Sequence, residues 1–370
     1  MHPTIGIIGL GTMGLGIAQV FAQAGFPTIA TDAHQPARDT ARDRMEQALN
    51  ARITVGKLTP EARDATLANL HIAESLTDFT ACTLIIEAII ERAEAKQTLF
   101  ANLEAIIPAT SILATNTSSI PVATIASTAQ NPDRILALHF FNPPTAMKLV
   151  ELASHAGTST AALALARQIT EAAGKTVIQC PDRPGFIVNR CARPYYGEAL
   201  ALLSEGHKAA EIDAAMMAAG YRLGPFALID LIGADINLAA TQGLFAAMQK
   251  HPRYHVFPIL TAQVASGDLG RKTGKGFIYP TESTAKANPD IALRIESTLI
   301  NEAAWLLAEG GTTPEGIDTA MKLGLNFPRG PFEALALHGR ATVLATLQNL
   351  GQKAPEALKP RYAPAPFLIR

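Results

Sequence analysis

The stretch TIGIIGLGTMGLGIAQVFAQAGFPTIATD (residues 4–32) decides how the chain is read. Thr4–Gly9 is apolar, β-branched and ended by glycine, which predicts a short buried strand. Met13, Ile17, Val20, Phe21 and Ala24 then recur at helical spacing, with Gly25 as the stop. Pro27–Asp32 predicts a second strand. Between the first strand and the helix lies Gly9-Leu10-Gly11-Thr12-Met13-Gly14, the pattern G-x-G-x-x-G. In that context the first glycine permits a tight turn and the second lets backbone approach a pyrophosphate. The third lets the helix pack on the sheet, and the helix N-terminus stabilises the anion. Asp32 ends the second strand, where a carboxylate accepts from ribose hydroxyls and repels the extra phosphate of NADP. The segment therefore predicts an NAD site. The competing reading, a bare glycine-rich turn and an ordinary strand-end Asp, needs four features to coincide.

Working outward, Leu84–Glu87, Ile112–Thr115 and Ile135–His139 are strand-like runs separated by helical stretches, which implies βαβ units and a parallel sheet. This first domain is expected to end near Pro181–Pro184. Beyond it, Gly185–Glu205, Ala209–Ala219, Gly224–Ile232 and Ile236–Gln249 read as helices. EALALLSE (198–205) returns as EAAWLLAE (302–309), Ile212-Asp213 as Ile317-Asp318, and Gly224-Pro225-Phe226 as Gly330-Pro331-Phe332. A repeat of this length is a duplicated domain rather than a solenoid period. The expected fold class is α/β: a Rossmann-type, mostly parallel sheet (1–183) followed by an all-helical domain in two copies (184–280 and 289–370). GRKTGKGFIY (270–279) reads as a basic loop between the copies, and the proline-rich tail beyond Pro355 as extended surface chain.

With 31 basic against 32 acidic residues among 370, no global field is available for nucleic acid. A 48% hydrophobic content supports a large core. Cys82, Cys180 and Cys191 include no C-x-x-C pair, so neither a disulfide framework nor a metal site is indicated, which fits a cytoplasmic protein. No Asp, Glu, Lys or Arg occurs between Met1 and Thr31, but glycines interrupt that run and no basic segment precedes it. A signal peptide or membrane span is not expected there.

His139 ends a predicted strand, where open α/β sheets bind ligands, and histidine exchanges a proton near neutral pH. Glu151 follows twelve residues later, a spacing that allows a turn and a return strand. A carboxylate meeting the imidazole would hold its tautomer.

TNTSS (115–119), HFFNPP (139–144), KLVE (148–151) and PGFIVNR (184–190), with GPF (224–226) and GRKTGKGF (270–277), resemble the ordered motifs of the L-3-hydroxyacyl-CoA dehydrogenase family. RITVGKL (52–58), CARPYYGEAL (191–200) and LIGADIN (231–237) resemble most the branch that oxidises 3-hydroxyadipyl-CoA in bacterial phenylacetate breakdown. The resemblance implies NAD-dependent oxidation of an acyl-CoA, 3-hydroxyadipyl-CoA or 3-hydroxybutyryl-CoA, with His139 as general base and Glu151 as its orienting partner. It implies that Ser118 and Asn189 hydrogen-bond the reacting oxygen and a nearby carbonyl. Asn142, Glu91 and Lys96 would border the cofactor, and Lys272 the cofactor or the acyl-CoA. Ser118 also reads as a helix N-cap before Pro121, Asn189 as a bridge within its own helix, Glu91 and Lys96 as a surface helix start, and Lys272 as a solvated charge. Ala48 stands where family members place a CoA-touching serine, with Lys57 as a partial substitute. The second copy carries Leu293 where the first has Asn189, so it reads as structural, an intrachain mimic of the family's dimer interface. A dehydrogenase of a free hydroxy acid, of the gulonate and lens-crystallin type, and a silent NAD-binding protein are the rival readings. Hydroxyisobutyrate-type enzymes use a lysine base.

Overall fold

The computed structural model describes residues 2–281 and 285–369. Met1, residues 282–284 and Arg370, where the second copy was expected to end, lie outside the described residues. The chain divides into two compact units, Met1–Arg183 and Pro184–Arg370.

The first unit is built on eight strands: β1 (Thr4–Ile8), β2 (Thr28–Thr31), β3 (Leu70–Ile72), β4 (Cys82–Glu87), β5 (Ile112–Thr115), β6 (Ile135–Phe140), β7 (Leu149–Ser154) and β8 (Thr176–Pro181). Their order is β3-β2-β1-β4-β5-β6-β7-β8. Every neighbouring pair is parallel except β6–β7. Helices α1 (Thr12–Gln23), α2 (Gln35–Thr54), α3 (Pro60–Ala68), α4 (Ala93–Glu104), α5 (Val122–Ala126) and α6 (Thr160–Ala172) lie between the strands in sequence. All six residues of β6 are buried, as a strand covered on both faces requires. Ile5, Ile7, Leu84, Ile86, Leu136, Leu138 and Val150 form the centre of the core. The strand order reverses direction between β1 and β4, the place where open α/β sheets leave a crevice at the strand ends. Strands β3 and β8 lie outside the sequence expectation. One is three residues long, and the other sits on the sheet edge and ends in Pro181, so neither carries a clear period.

The second unit contains α7 (Val188–Cys191), α8 (Arg193–Ser204), α9 (Ala209–Ala218), α10 (Pro225–Ile232), α11 (Ala234–Ala247) and α12 (Pro258–Ala265). After the basic loop come α13 (Pro289–Ala308), α14 (Pro314–Leu325), α15 (Pro331–His338), α16 (Arg340–Lys353) and α17 (Pro366–Ile369). The single helix expected over Gly185–Glu205 is instead two: Pro194 opens α8, because proline favours a first helical turn and disrupts a continuing one.

The two copies bind each other by matched ion pairs. In the first, Arg190 meets Glu302 at 2.7 Å and Glu309 at 2.7 Å. In the second, Arg294 meets Glu198 at 2.7 Å and Glu205 at 2.6 Å. Each buried carboxylate gains two more donors. Arg253 and Tyr254 reach Glu302 at 2.9 and 2.5 Å, while Arg361 and Tyr362 reach Glu198 at 3.1 and 3.0 Å. Asp213 caps α10 through the Phe226 and Ala227 amides, and Asp318 caps α15 through those of Phe332 and Glu333. The tail beyond Pro355 is therefore not extended surface chain. Residues Glu356–Tyr362 form a 3-10 segment that buries Arg361 and Tyr362, and Ala365 and Leu368 join the core of the second copy. Paired charge and apolar anchors outweigh the proline content.

Arg190 is fully buried, and removing it strands Glu302 without its closest cation. Arg190→Met is expected to destabilise the second unit by about 3–5 kcal/mol, the range for breaking one side of a buried pair. Calorimetric unfolding reads this; a loss under about 1 kcal/mol would show that the cluster does not hold the copies together.

Candidate active site

The glycine-rich turn occupies the crevice between β1 and β4. A Cβ on Gly9 (φ +102) would meet the Ala88 carbonyl oxygen at 2.5 Å, and one on Gly14 would stand 1.8 Å from the Gly9 oxygen. The protein's own backbone demands those two glycines. A Cβ on Gly11 would meet nothing within 4 Å, so that glycine keeps open a path to the backbone, as a pyrophosphate requires. Thr12 and Met13 begin α1 directly behind it. Asp32 accepts from the Leu10 amide at 2.7 Å and from the His34 amide at 2.8 Å, which ties the acid to the turn itself. A cavity of about 700 Å³ runs past Gly9, Gly11, Asp32, Ala88 and Ile90, with Arg38 on its wall. Glycines, helix end and acid together fit a dinucleotide.

His139 and Glu151 are direct partners in the β6–β7 ladder. Side chains opposite one another in a ladder share a face. Here the imidazole Nδ1 lies 2.7 Å from Glu151 Oε2, with His139 7% exposed and Glu151 fully buried. A buried carboxylate on Nδ1 keeps the ring proton there and turns Nε2 into the acceptor. The loop between the strands is held at both ends. Asn116 accepts from the Phe140 amide at 2.8 Å, and Lys175 Nζ donates to the Pro144 and Met147 carbonyls at 2.5 and 2.8 Å. Burial pushes the Lys175 amine down to about 8. Asn142 stands in this loop, exposed, before a cis bond to Pro143.

Glu91 organises the TNTSS loop. It accepts from the Thr117 hydroxyl at 2.6 Å, the Ser118 amide at 3.1 Å and the Ser119 hydroxyl at 2.9 Å. Burial works against this carboxylate, but the Thr117 hydroxyl, Lys96 and the two serines hold it below its ordinary range. Lys96 itself, expected as a cofactor contact, lies 1% exposed between Glu87 at 2.8 Å and Glu91 at 3.3 Å. A side chain so placed ties Glu91 to the end of β4. Ser118 is not a helix cap: Asp182 accepts from the Val122 and Ala123 amides that open α5. The Ser118 hydroxyl has no hydrogen bond among the described residues.

In the second unit, Asn189 lies on α7 with its carbonyl accepting from Arg193 Nε at 3.0 Å. Its side-chain amide has no hydrogen bond among the described residues. Arg190, next in the chain, is the buried anchor described above, so α7 holds Asn189 on a fixed base. Lys272 pairs with Asp235 at 2.5 Å while remaining 42% exposed. Lys57 and Ala48 are both exposed. Sequence reasoning missed Asn116, Lys175 and Glu87, which act through backbone and buried partners. It also missed PRY at 252–254 and 360–362, a repeated triplet that marks the arginine and tyrosine on each buried glutamate.

The family model described as "3-hydroxyacyl-CoA dehydrogenase, NAD binding domain" matches residues 4–183. That described as "3-hydroxyacyl-CoA dehydrogenase, C-terminal domain" matches twice, at 185–279 and 291–370. The 3-hydroxyadipyl-CoA dehydrogenase of Escherichia coli K12 is 34% identical, over 99% of this chain and 96% of its own. The 3-hydroxybutyryl-CoA dehydrogenase of Mycobacterium tuberculosis is 35% identical, over 74% of this chain and 96% of its own. The crystal structure of 3-hydroxybutyryl-CoA dehydrogenase from Escherichia coli K12 superposes with a TM-score of 0.93 at 32% identity, covering 100% of this chain and 98% of the other. With a dinucleotide cradle, a buried histidine–glutamate pair and matches along the whole chain, the protein belongs to the NAD-dependent 3-hydroxyacyl-CoA dehydrogenase family.

Proposed function

We propose that His139 is the general base of this dehydrogenase and that Glu151 orients it. The 2.7 Å contact between the Nδ1 atom and a fully buried carboxylate carries the reading. His139 Nε2 takes the proton of the substrate 3-hydroxyl, and Glu151 stabilises the imidazolium that results. NAD held at Gly9–Gly14 and Asp32 would supply the hydride acceptor for C3. The Ser118 hydroxyl and the Asn189 amide donate to the reacting oxygen and the neighbouring carbonyl, polar donors set where charge develops. Gly9, Gly11, Thr12, Met13 and Gly14 form the pyrophosphate cradle, and Asp32 takes the ribose hydroxyls. Glu91 sets the TNTSS loop, Asn142 borders the nicotinamide, and Lys272 serves the cofactor or the acyl-CoA.

The thioester is 3-hydroxyadipyl-CoA or 3-hydroxybutyryl-CoA, the substrates in the names of the relatives above. Those relatives are acyl-CoA enzymes, which speaks against the free hydroxy acid. The second helical copy stands in for a partner subunit within one chain, supported by the matched pairs of Arg190 and Arg294. The protein acts in the cytoplasm, a reading supported by three buried cysteines that form no disulfide. Among the described residues, no helix is long and apolar enough to cross a membrane.

Glu151→Gln is expected to lower turnover with 3-hydroxyacyl-CoA by about 100-fold or more, on the scale of general-base contributions, while NADH affinity stays within about twofold. Stopped-flow kinetics with NADH fluorescence titration reads both; near-normal turnover ends the assigned role. Asp32→Ala is expected to weaken NADH about tenfold or more and to relax discrimination against NADPH, because charge-assisted hydrogen bonds are worth about 1.5–3 kcal/mol. An unchanged NADH-to-NADPH ratio places selectivity elsewhere.

A further inference from the structure

The charges that join the two helical copies balance, with one exception. Arg190, Arg253, Arg294 and Arg361 pair with Glu198, Glu205, Glu302 and Glu309, four cations against four carboxylates. Arg193, the first residue of α8, stands outside that set although it is only 8% exposed. Its Nε donates to the Asn189 carbonyl at 3.0 Å and its Nη1 to the Thr241 hydroxyl at 3.2 Å, both neutral groups. The Tyr196 ring lies 5.0 Å from the guanidinium. No carboxylate meets Arg193 among the described residues; burial works against its charge, and only Tyr196 offsets that. A buried lysine could escape by giving up its proton, but an arginine keeps its own. The positive charge is therefore present and unanswered by the protein.

A cavity of about 10 Å³ lies beside it. Arg193, Tyr196, Thr241, Arg253 and His255 of the first copy line it, together with Arg361 of the second. Three guanidiniums thus border one small space, and no carboxylate is among its walls. His255 supplies no negative charge either, since burial and then Arg361 push its imidazole down toward the neutral form. The volume is room for about one sphere of water size, too little for a carboxylate, phosphate or sulfate group. The arrangement is not inherited from the duplication. Aligned on Glu198 and Glu302, Arg193 corresponds to Ser297; aligned on Gly224 and Gly330, Thr241 corresponds to Leu347. The balanced pairs recur in both copies, whereas the extra cation and the hydroxyl that holds it occur in the first alone.

We propose that this cavity binds one monatomic, monovalent anion, chloride or a like halide, as the counter-charge of Arg193. A water molecule is the other occupant of that size, but it leaves the buried charge uncompensated, which is the costly state. The anion completes the ion-pair network, with Arg193 reaching it from the first copy and Arg361 from the second. It binds the folded unit and has no such site in the unfolded chain, so it stabilises the junction of the copies by mass action.

The test is thermal unfolding of the full-length protein in sodium chloride, sodium bromide and sodium gluconate at equal ionic strength. Chloride and bromide are expected to raise Tm above its value in gluconate, an anion too large for the cavity, by at least about 2 °C, the shift for a well-saturated ligand. Arg193→Met should erase that difference. A wild-type Tm indifferent to the anion overturns the proposal, and so does a difference that persists in Arg193→Met, which marks a general salt effect. Wild-type crystals grown in bromide give a second readout that stands even if the variant does not fold. An anomalous peak is expected beside the Arg193 guanidinium; a water there with no anomalous signal overturns the site. No part of the test involves turnover, so the dehydrogenase reading stands or falls separately.

Discussion

Because β7 runs back along β6 instead of crossing over to lie parallel with it, His139 and Glu151 face each other across one rung of the ladder. Much of the first unit depends on that reversal. A carboxylate with no exposed surface carries a heavy desolvation cost unless it is paired. The imidazole therefore stays against it, and the strands on either side keep both in place. Asn116 ties β6 to the TNTSS loop, and Lys175 pins the turn that makes the reversal possible. The His139 ring is held by secondary structure, not by a loop that must find it.

A second charged group anchors the neighbouring edge. Lys96 is sealed between Glu87 at the end of β4 and Glu91 beyond it, and Glu91 in turn collects the amide and hydroxyls of residues 117–119. Ser118 thus takes its position from a buried ion pair on the adjacent strand. Changes to Lys96 would reach the TNTSS loop without touching it.

The dinucleotide cradle was the most legible part of the chain, because strand, glycines, helix and acid are local and leave a continuous pattern. The strand-end position of His139 was legible for the same reason. Its partner was only permitted by spacing, since an antiparallel return cannot be told from a crossover by twelve residues. The burial of Lys96 was not legible, because a buried lysine and a solvent-facing one look alike in sequence; only the cage of Glu87 and Glu91 distinguishes them. The tail misled because proline content suggests extension, while its PRY triplet, already present near residue 252, carries the contrary signal. The break at Pro194 was visible, but the apolar run around it hid the two helices.

The matched glutamate clusters of the helical copies resemble an interface between equal partners, yet both halves belong to one chain. Covalent linkage keeps the partner at a fixed effective concentration, so the pairing does not weaken on dilution as a free association would. It also lifts the rule that both faces must change together, which binds any true two-fold assembly. Substitutions can then accumulate on one side alone. Leu293 at the position matching Asn189 is a visible result of that freedom.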